Sequence, residues 1–304
     1  MAGRSSTRTA SSSRQPKPKT FSDKWDLTHL VKNPTRQLDA LLAELEAKVV
    51  QIEAARPGLS PTMPGQDLLA LLRCSEAIAE GSSRLGAFAY LWFSENTTDA
   101  AARSFKTQVE ERLTALSNRL LFFELWWQSV DDVNAARLMA DAGDLRYHLE
   151  TIRRFKPHTL SEPEEKIVNL KNVTGRSAIH TLYDIVTNGF TFTLTIGGKK
   201  KTMNREGLMA YVRSQKASVR QAAYQELYRV FSGQRDLLGE IYKTLINDWK
   251  SENLGLRRFG SPIATRNLGN DVPDQAVDVL LSACAKNADI FQTYFKLKAK
   301  ICKI

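Results

Sequence analysis

The sequence predicts a mainly α fold: a multi-helix bundle that carries one β-hairpin at about residues 190–203. Three observations predict it. Apolar residues recur at steps of three and four over nearly everything after Phe21, the spacing of one helix face. A single short segment alternates apolar and polar with a period of two. The composition, 42% apolar and 25% charged over 304 residues, is ordinary for a soluble globular chain long enough to bury its own core. Collagen-like, wholly disordered and disulfide-rich classes are excluded. The three cysteines, Cys74, Cys284 and Cys302, are too few and too scattered for a disulfide framework, which predicts a reducing, cytoplasmic setting. The longest uncharged apolar run, Leu85 to Phe93, is far short of the roughly 20 residues that span a bilayer.

The first twenty residues hold Arg4, Arg8, Arg14, Lys17 and Lys19 and no acid. With their serines they predict a disordered basic tail over residues 1–21. That tail carries half of the net charge of +10, and the rest of the chain, with 38 bases against 33 acids, is only mildly basic. Nucleic acid is therefore disfavoured as a partner, because such binders concentrate charge on a folded face. Asn33-Pro34 opens the first helix, which runs through Leu38, Leu41, Leu42, Leu45, Val49 and Ile52 and stops before Pro57-Gly58. Asp67 to Phe93 is expected to be helical, with an interruption at Gly81-Ser82-Ser83. Thr98 to Val130 gives the longest pattern (Phe105, Val109, Leu113, Leu116, Leu120, Phe123, Trp127). It turns apolar on all sides beyond Leu120, the mark of a helix inside a bundle. Trp126 and Trp127 are read as core rather than as a ligand platform.

Ser161-Glu162-Pro163-Glu164 is a capping box that opens a helix through Ile167 and Leu170, and another helix is expected from about Arg176 to Val186. Phe190, Phe192, Leu194 and Ile196 alternate with threonines; Gly197-Gly198 and the return strand Lys199 to Met203 complete the hairpin. Because a lone hairpin is marginal, its phenylalanine face is expected to dock on helices, with Lys199-Lys200-Lys201 as a solvated edge. Helices are expected over Arg205 to Arg213, Ser218 to Phe231 and Arg235 to Asn253, and a loop over Gly260 to Pro273. From Ala276 a single apolar stripe (Leu280, Ala283, Ile290, Tyr294, Leu297, Ile301, Ile304) runs to the last residue, which predicts that a longer polypeptide continues past it.

Chemistry-bearing motifs are sparse. The histidines His29, His148, His158 and His180 include no i, i+4 pair, and no Cys-x-x-Cys occurs, so no metal site is readable. No phosphate-binding glycine loop and no G-x-S-x-G elbow is present. Cys74 sits beside Leu71 and Leu72 as inert core, and the acidic pairs Glu110-Glu111, Asp131-Asp132 and Glu164-Glu165 fit polar faces and helix starts.

Several segments, in order, resemble the amino-terminal half of oligoendopeptidase F, a branch of the thimet-type zinc metallopeptidases. They are Trp25-Asp26-Leu27; the specific run His158-Thr159-Leu160-Ser161-Glu162-Pro163-Glu164-Glu165-Lys166-Ile167; and Leu182-Tyr183-Asp184 with the two strands after it. Beyond these come Val219 to Tyr224, Ser261-Pro262 with Arg266, Asn270, Val272 and Pro273, and Tyr294 to Lys300. The resemblance covers about Trp25 to the end. It implies a helical lobe walling one side of a channel that admits short unfolded peptides. It also implies a zinc-binding H-E-x-x-H helix in the carboxy-terminal half, with that missing half as a partner of this one. No such motif occurs in these 304 residues. No catalytic or metal residue is carried over, substrate-binding residues are unknown, and zinc is a cofactor of the full-length protein only. The implied division is a tail at 1–21, an amino-terminal helical domain at 22–188, and a hairpin with helices at 189–304 that begins a truncated peptidase domain. On this reading the chain is an incomplete lobe of a channelled metallopeptidase, inactive alone. The rivals are a helical interaction module whose basic tail binds nucleic acid or an acidic partner, and a scaffold that has lost an active half.

Overall fold

The protein is described by a computed structural model over residues 24–303. The basic tail expected at 1–21 and the last stripe residue, Ile304, lie outside the described residues.

Three long helices build the main core: α1 (Pro34–Ala55), α2 (Gly65–Glu95) and α3 (Ala100–Ser129). Pro34 opens α1, yet Asn33 does not cap it with its side chain; the Asn33 amide donates to Gln37 Oε1 at 3.1 Å. The core holds Leu42, Leu45, Val49 and Ile52 from α1, Leu68, Leu72, Ile78, Leu85 and Phe88 from α2, and Phe105, Val109, Leu116, Phe123 and Trp127 from α3. Asp99 caps α3 by accepting from the amides of Ala101 and Ala102. Trp127 is buried and its indole donates to Leu149 O at 2.9 Å, while Trp126 packs half-buried against the same core. Both are packing residues, as expected.

The interruption expected at Gly81-Ser82-Ser83 is absent: α2 runs straight through. A Cβ on Gly81 would come within 2.7 Å of Leu45 Cδ2, so the glycine lets α1 approach α2 instead of breaking the helix. Two short helices for which the sequence carries no expectation, α4 (Asp132–Ala140) and α5 (Arg146–Arg154), close the end of the bundle. Asp131 caps α4 through the amides of Val133 and Asn134.

The capping box opens α6 (Glu162–Asn172), where Glu164 Oε2 accepts from the Ser161 amide at 2.9 Å and from its hydroxyl at 2.6 Å. A π turn over Val173–Ser177 joins α6 to α7 (Ala178–Asn188), so the two expected helices form one bent rod. Strands β1 (Phe192–Ile196) and β2 (Lys199–Met203) then pair antiparallel, with Phe192 opposite Met203 and Ile196 opposite Lys199. Gly197 and Gly198 have φ of +56° and +76°, the left-handed backbone that a tight hairpin turn requires. The hairpin docks as expected. Phe192 and Leu194 form a second core with Leu208 of α8 (Arg205–Val212) and Ala223 of α9 (Ala217–Gly233), and Phe190 meets the Phe231 ring edge-on at 5.2 Å. The three lysines of β2 lie on the exposed side.

Helix α10 (Arg235–Lys250) continues into a second π turn, Ser251–Leu256. Where a loop was expected over Gly260 to Pro273, the chain forms α11 (Pro262–Gly269). Ser261 caps it by accepting from the Ala264 amide at 3.2 Å and Pro262 takes its first position, so the Ser-Pro signal starts a helix rather than a turn. The final stripe is likewise not one helix. It divides at Asn287 into α12 (Asp274–Lys286) and α13 (Ala288–Cys302), and its face is open: Leu280 is 61% exposed and Ile290 65%, against the burial that the stripe predicts.

Candidate functional site

His158, Leu160 and Glu165 of the run at 158–167 meet in one clasp. His158 lies on the 3-10 turn after α5, and its ring stacks on Phe259 at 3.7 Å with 12° between the planes. His158 Nδ1 is 2.8 Å from Arg257 O. The Arg257 guanidinium donates to both Glu165 oxygens, at 2.7 and 2.9 Å, to Glu252 Oε1 at 2.9 Å, and to His158 O at 3.3 Å. Glu165 also accepts from the Leu160 amide at 2.9 Å. Burial by itself would raise the Glu165 carboxyl; the fork of Arg257 and the Leu160 amide outweigh it and hold the group below the usual carboxylate range. Glu165 lies in the first turn of α6, at the helix start its sequence neighbourhood predicts, and is in addition a buried ion-pair partner. These bonds join segments distant in sequence and fasten the second π turn to the start of α6.

Beside the clasp, a groove crosses the open face of α3. On one side is a hollow of about 410 Å³ between α2 and α3, with buried Ile52, Ile78, Leu116 and Phe123 as its floor and Ser75, Ser82 and Ser117 on its walls. On the other is a hollow of about 280 Å³ between α3, α5 and α6, reached by Gln128, His148, Thr151, Thr159 and Asn169. The two share Leu121 and Glu124. Glu124 stands on the ridge between them, exposed to solvent. Desolvation pushes its carboxyl up, the charge of His148 pulls it down, and the Glu165 carboxylate adds repulsion. No hydrogen bond or ion pair of Glu124 occurs among the described residues. Sequence reading missed it, because a lone Glu in an apolar helical run carries no spacing signal.

The four histidines fall on separate elements: His29 ahead of α1, His148 on α5, His158 on the 3-10 turn and His180 on α7. Among the described residues no group of three His, Cys, Asp or Glu converges as a metal site. The residues present do not fit a catalytic zinc. Cys74 is half-buried between α1 and α2, with Sγ 3.6 Å from Lys48 O.

The helical fold with its docked hairpin has counterparts among known proteins. Residues 126–192 match the family model described as Oligopeptidase F. An oligoendopeptidase F homolog of Borreliella burgdorferi is 21% identical over 286 residues, which are 92% of this chain and 46% of that protein. The crystal structure of oligoendopeptidase-F from Enterococcus faecium superposes with a TM-score of 0.74 at 17% identity, over 89% of this chain and 54% of that one. A second crystal structure, of a Chlamydophila abortus protein, matches with a TM-score of 0.58 at 18% identity, over 93% of this chain and 48% of that one. The chain is thus similar to the amino-terminal part of oligoendopeptidase F, and it spans about half the length of the relatives it matches. No described helix is long and apolar enough to cross a membrane.

Proposed function

We propose that this chain is the amino-terminal, channel-forming portion of a cytoplasmic zinc oligopeptidase that hydrolyses short unfolded peptides. The observation that carries this reading is the match of nearly the whole chain to about half of an oligoendopeptidase F homolog. Residues 22–188 form its helical domain, and residues 189–304 begin the peptidase domain. The catalytic zinc belongs to an H-E-x-x-H helix of the carboxy-terminal half. This sequence contains no such motif, so no residue here is assigned to zinc and no bond-breaking step is derived from it. The chain's own contribution is shape. The α3 groove presents a concave wall, and the Arg257 clasp fixes the helices that border it. The test is to incubate the purified chain with zinc and a quenched-fluorescent peptide. No turnover is expected, and chelator-sensitive cleavage by this chain alone would defeat the reading.

A further inference from the structure

We propose that the α3 groove anchors the amino terminus of a short peptide, with the ammonium against Glu124 and an apolar first side chain on the floor of the α2–α3 hollow. The choice of a peptide over another amine rests on the proposed oligopeptidase function; the site itself rests on what lines the groove.

The argument is one of donors and acceptors. Around Glu124 four neutral polar groups each direct one donor elsewhere, and the Gln128 and Asn169 amides keep a second N–H. Thr151 Oγ1 donates to Tyr147 O and Thr159 Oγ1 to Phe155 O, both at 2.9 Å. Gln128 Nε2 donates to Ile152 O at 3.2 Å, and Asn169 Nδ2 to Asn118 Oδ1 at 2.8 Å. Each of the four is left with an oxygen lone pair to offer. The Glu124 carboxylate has no partner in the described fold, and with these oxygens beside it the charged group that fits is an ammonium. A carboxylate or phosphate would meet repulsion there. Arg257 does not neutralise Glu124, because its fork is taken by Glu165 and Glu252. The other hollow has an apolar floor within reach of the same carboxylate, so the fitting ligand carries an apolar side chain next to its charge, as a peptide amino terminus does.

Three titratable groups bear on the site: Glu124 from α3, His148 from α5 and Glu165 from α6. An arriving ammonium favours the ionised Glu124 that burial disfavours, so affinity rises with pH through the titration of that carboxyl. His148 faces the same carboxylate, and replacing it with glutamine should leave binding intact or tighten it.

The experiment is calorimetric titration of the full chain with Leu-Leu-Gly-Gly and with its N-acetylated form. A charge-assisted contact of this kind corresponds to about tenfold in affinity or more. Acetylation and Glu124→Gln are each expected to weaken binding by at least about tenfold, and the two together by no more than either alone. His148→Gln binds the free peptide at least as tightly as the parent chain. Unchanged circular dichroism keeps Glu124→Gln interpretable. Equal binding of the free and acetylated peptides, unweakened binding to Glu124→Gln, or no binding of either peptide would each overturn the proposal. Cleavage of peptide by the chain would sink the non-catalytic reading instead, by a separate readout.

Discussion

Arg257→Met is the sharpest test of what holds this fold together. Arg257 is a half-buried cation whose side chain is 18% exposed, and it makes a bidentate pair with Glu165, which is 9% exposed, and a third bond to Glu252. Methionine keeps much of the stem volume and leaves two carboxylates facing each other without a cation. Breaking a buried pair from one side costs about 3 kcal/mol or somewhat more, chiefly the penalty on the charges left behind. Removing both partners is far milder: Glu165→Gln combined with Arg257→Met should recover at least about 1 kcal/mol of that loss. The assay is urea unfolding of the two single variants and the double variant, followed by tryptophan fluorescence. The pH dependence has a definite sign. Glu165 lies below its unfolded value when folded, so its contribution is fully present above the ordinary glutamate range, near 4.5, and is lost as pH falls below that range. Arg257→Met should abolish this share of the acid sensitivity. A loss under about 1 kcal/mol, with additive single variants, would refute the view that the clasp is a coupled network.

Two further perturbations separate packing from propensity. Gly239 lies inside α10 with nothing within 4 Å of where its Cβ would stand, so Gly239→Ala should stabilise the chain by about 0.5–1 kcal/mol in thermal or urea melts. Gly81→Ala gains the same propensity but drives a methyl into buried Leu45, so it should give no gain or a net loss; a gain equal to that of Gly239→Ala would contradict the close-approach explanation. Trp127→Phe removes the indole bond to Leu149 O and part of the core volume, at a cost of about 2 kcal/mol or more by chemical denaturation.

What was legible in the sequence was whatever local chemistry decides. The α1–α3 stripes, the capping box and the Gly-Gly hairpin each depend on residues within a few positions of one another, and each formed within a few residues of the expected bounds. What failed depended on partners distant in sequence. Gly81 reads as a breaker until Leu45 is placed against it. Ser261-Pro262 reads equally as a turn or as a helix start, and the continuation into Ala264 decides. The apolar stripe after Ala276 has helical spacing throughout, but spacing cannot register that Asn287 divides it. The two π turns at Val173–Ser177 and Ser251–Leu256 look helical in composition. Each inserts a residue into the ladder and rotates the chain beyond it, which sequence periodicity does not record.

The second π turn explains how the most specific run in the chain is held in place. Glu252 lies on that turn and Arg257 directly after it, so both depend on the register that the turn imposes. Opening the helix there sets Arg257 toward Glu165 across 92 residues of sequence, and the left-handed Arg258, with φ of +56°, swings Phe259 back onto His158. Five side chains from two distant segments must then agree in size, charge and direction, and a change in any one leaves another buried and unmatched. Glu124 is constrained in the opposite way: nothing in the described fold needs its charge, and desolvation works against it. A carboxylate with no partner inside the fold is open to one from outside, which is the physical ground for placing a ligand at the groove and none at the clasp.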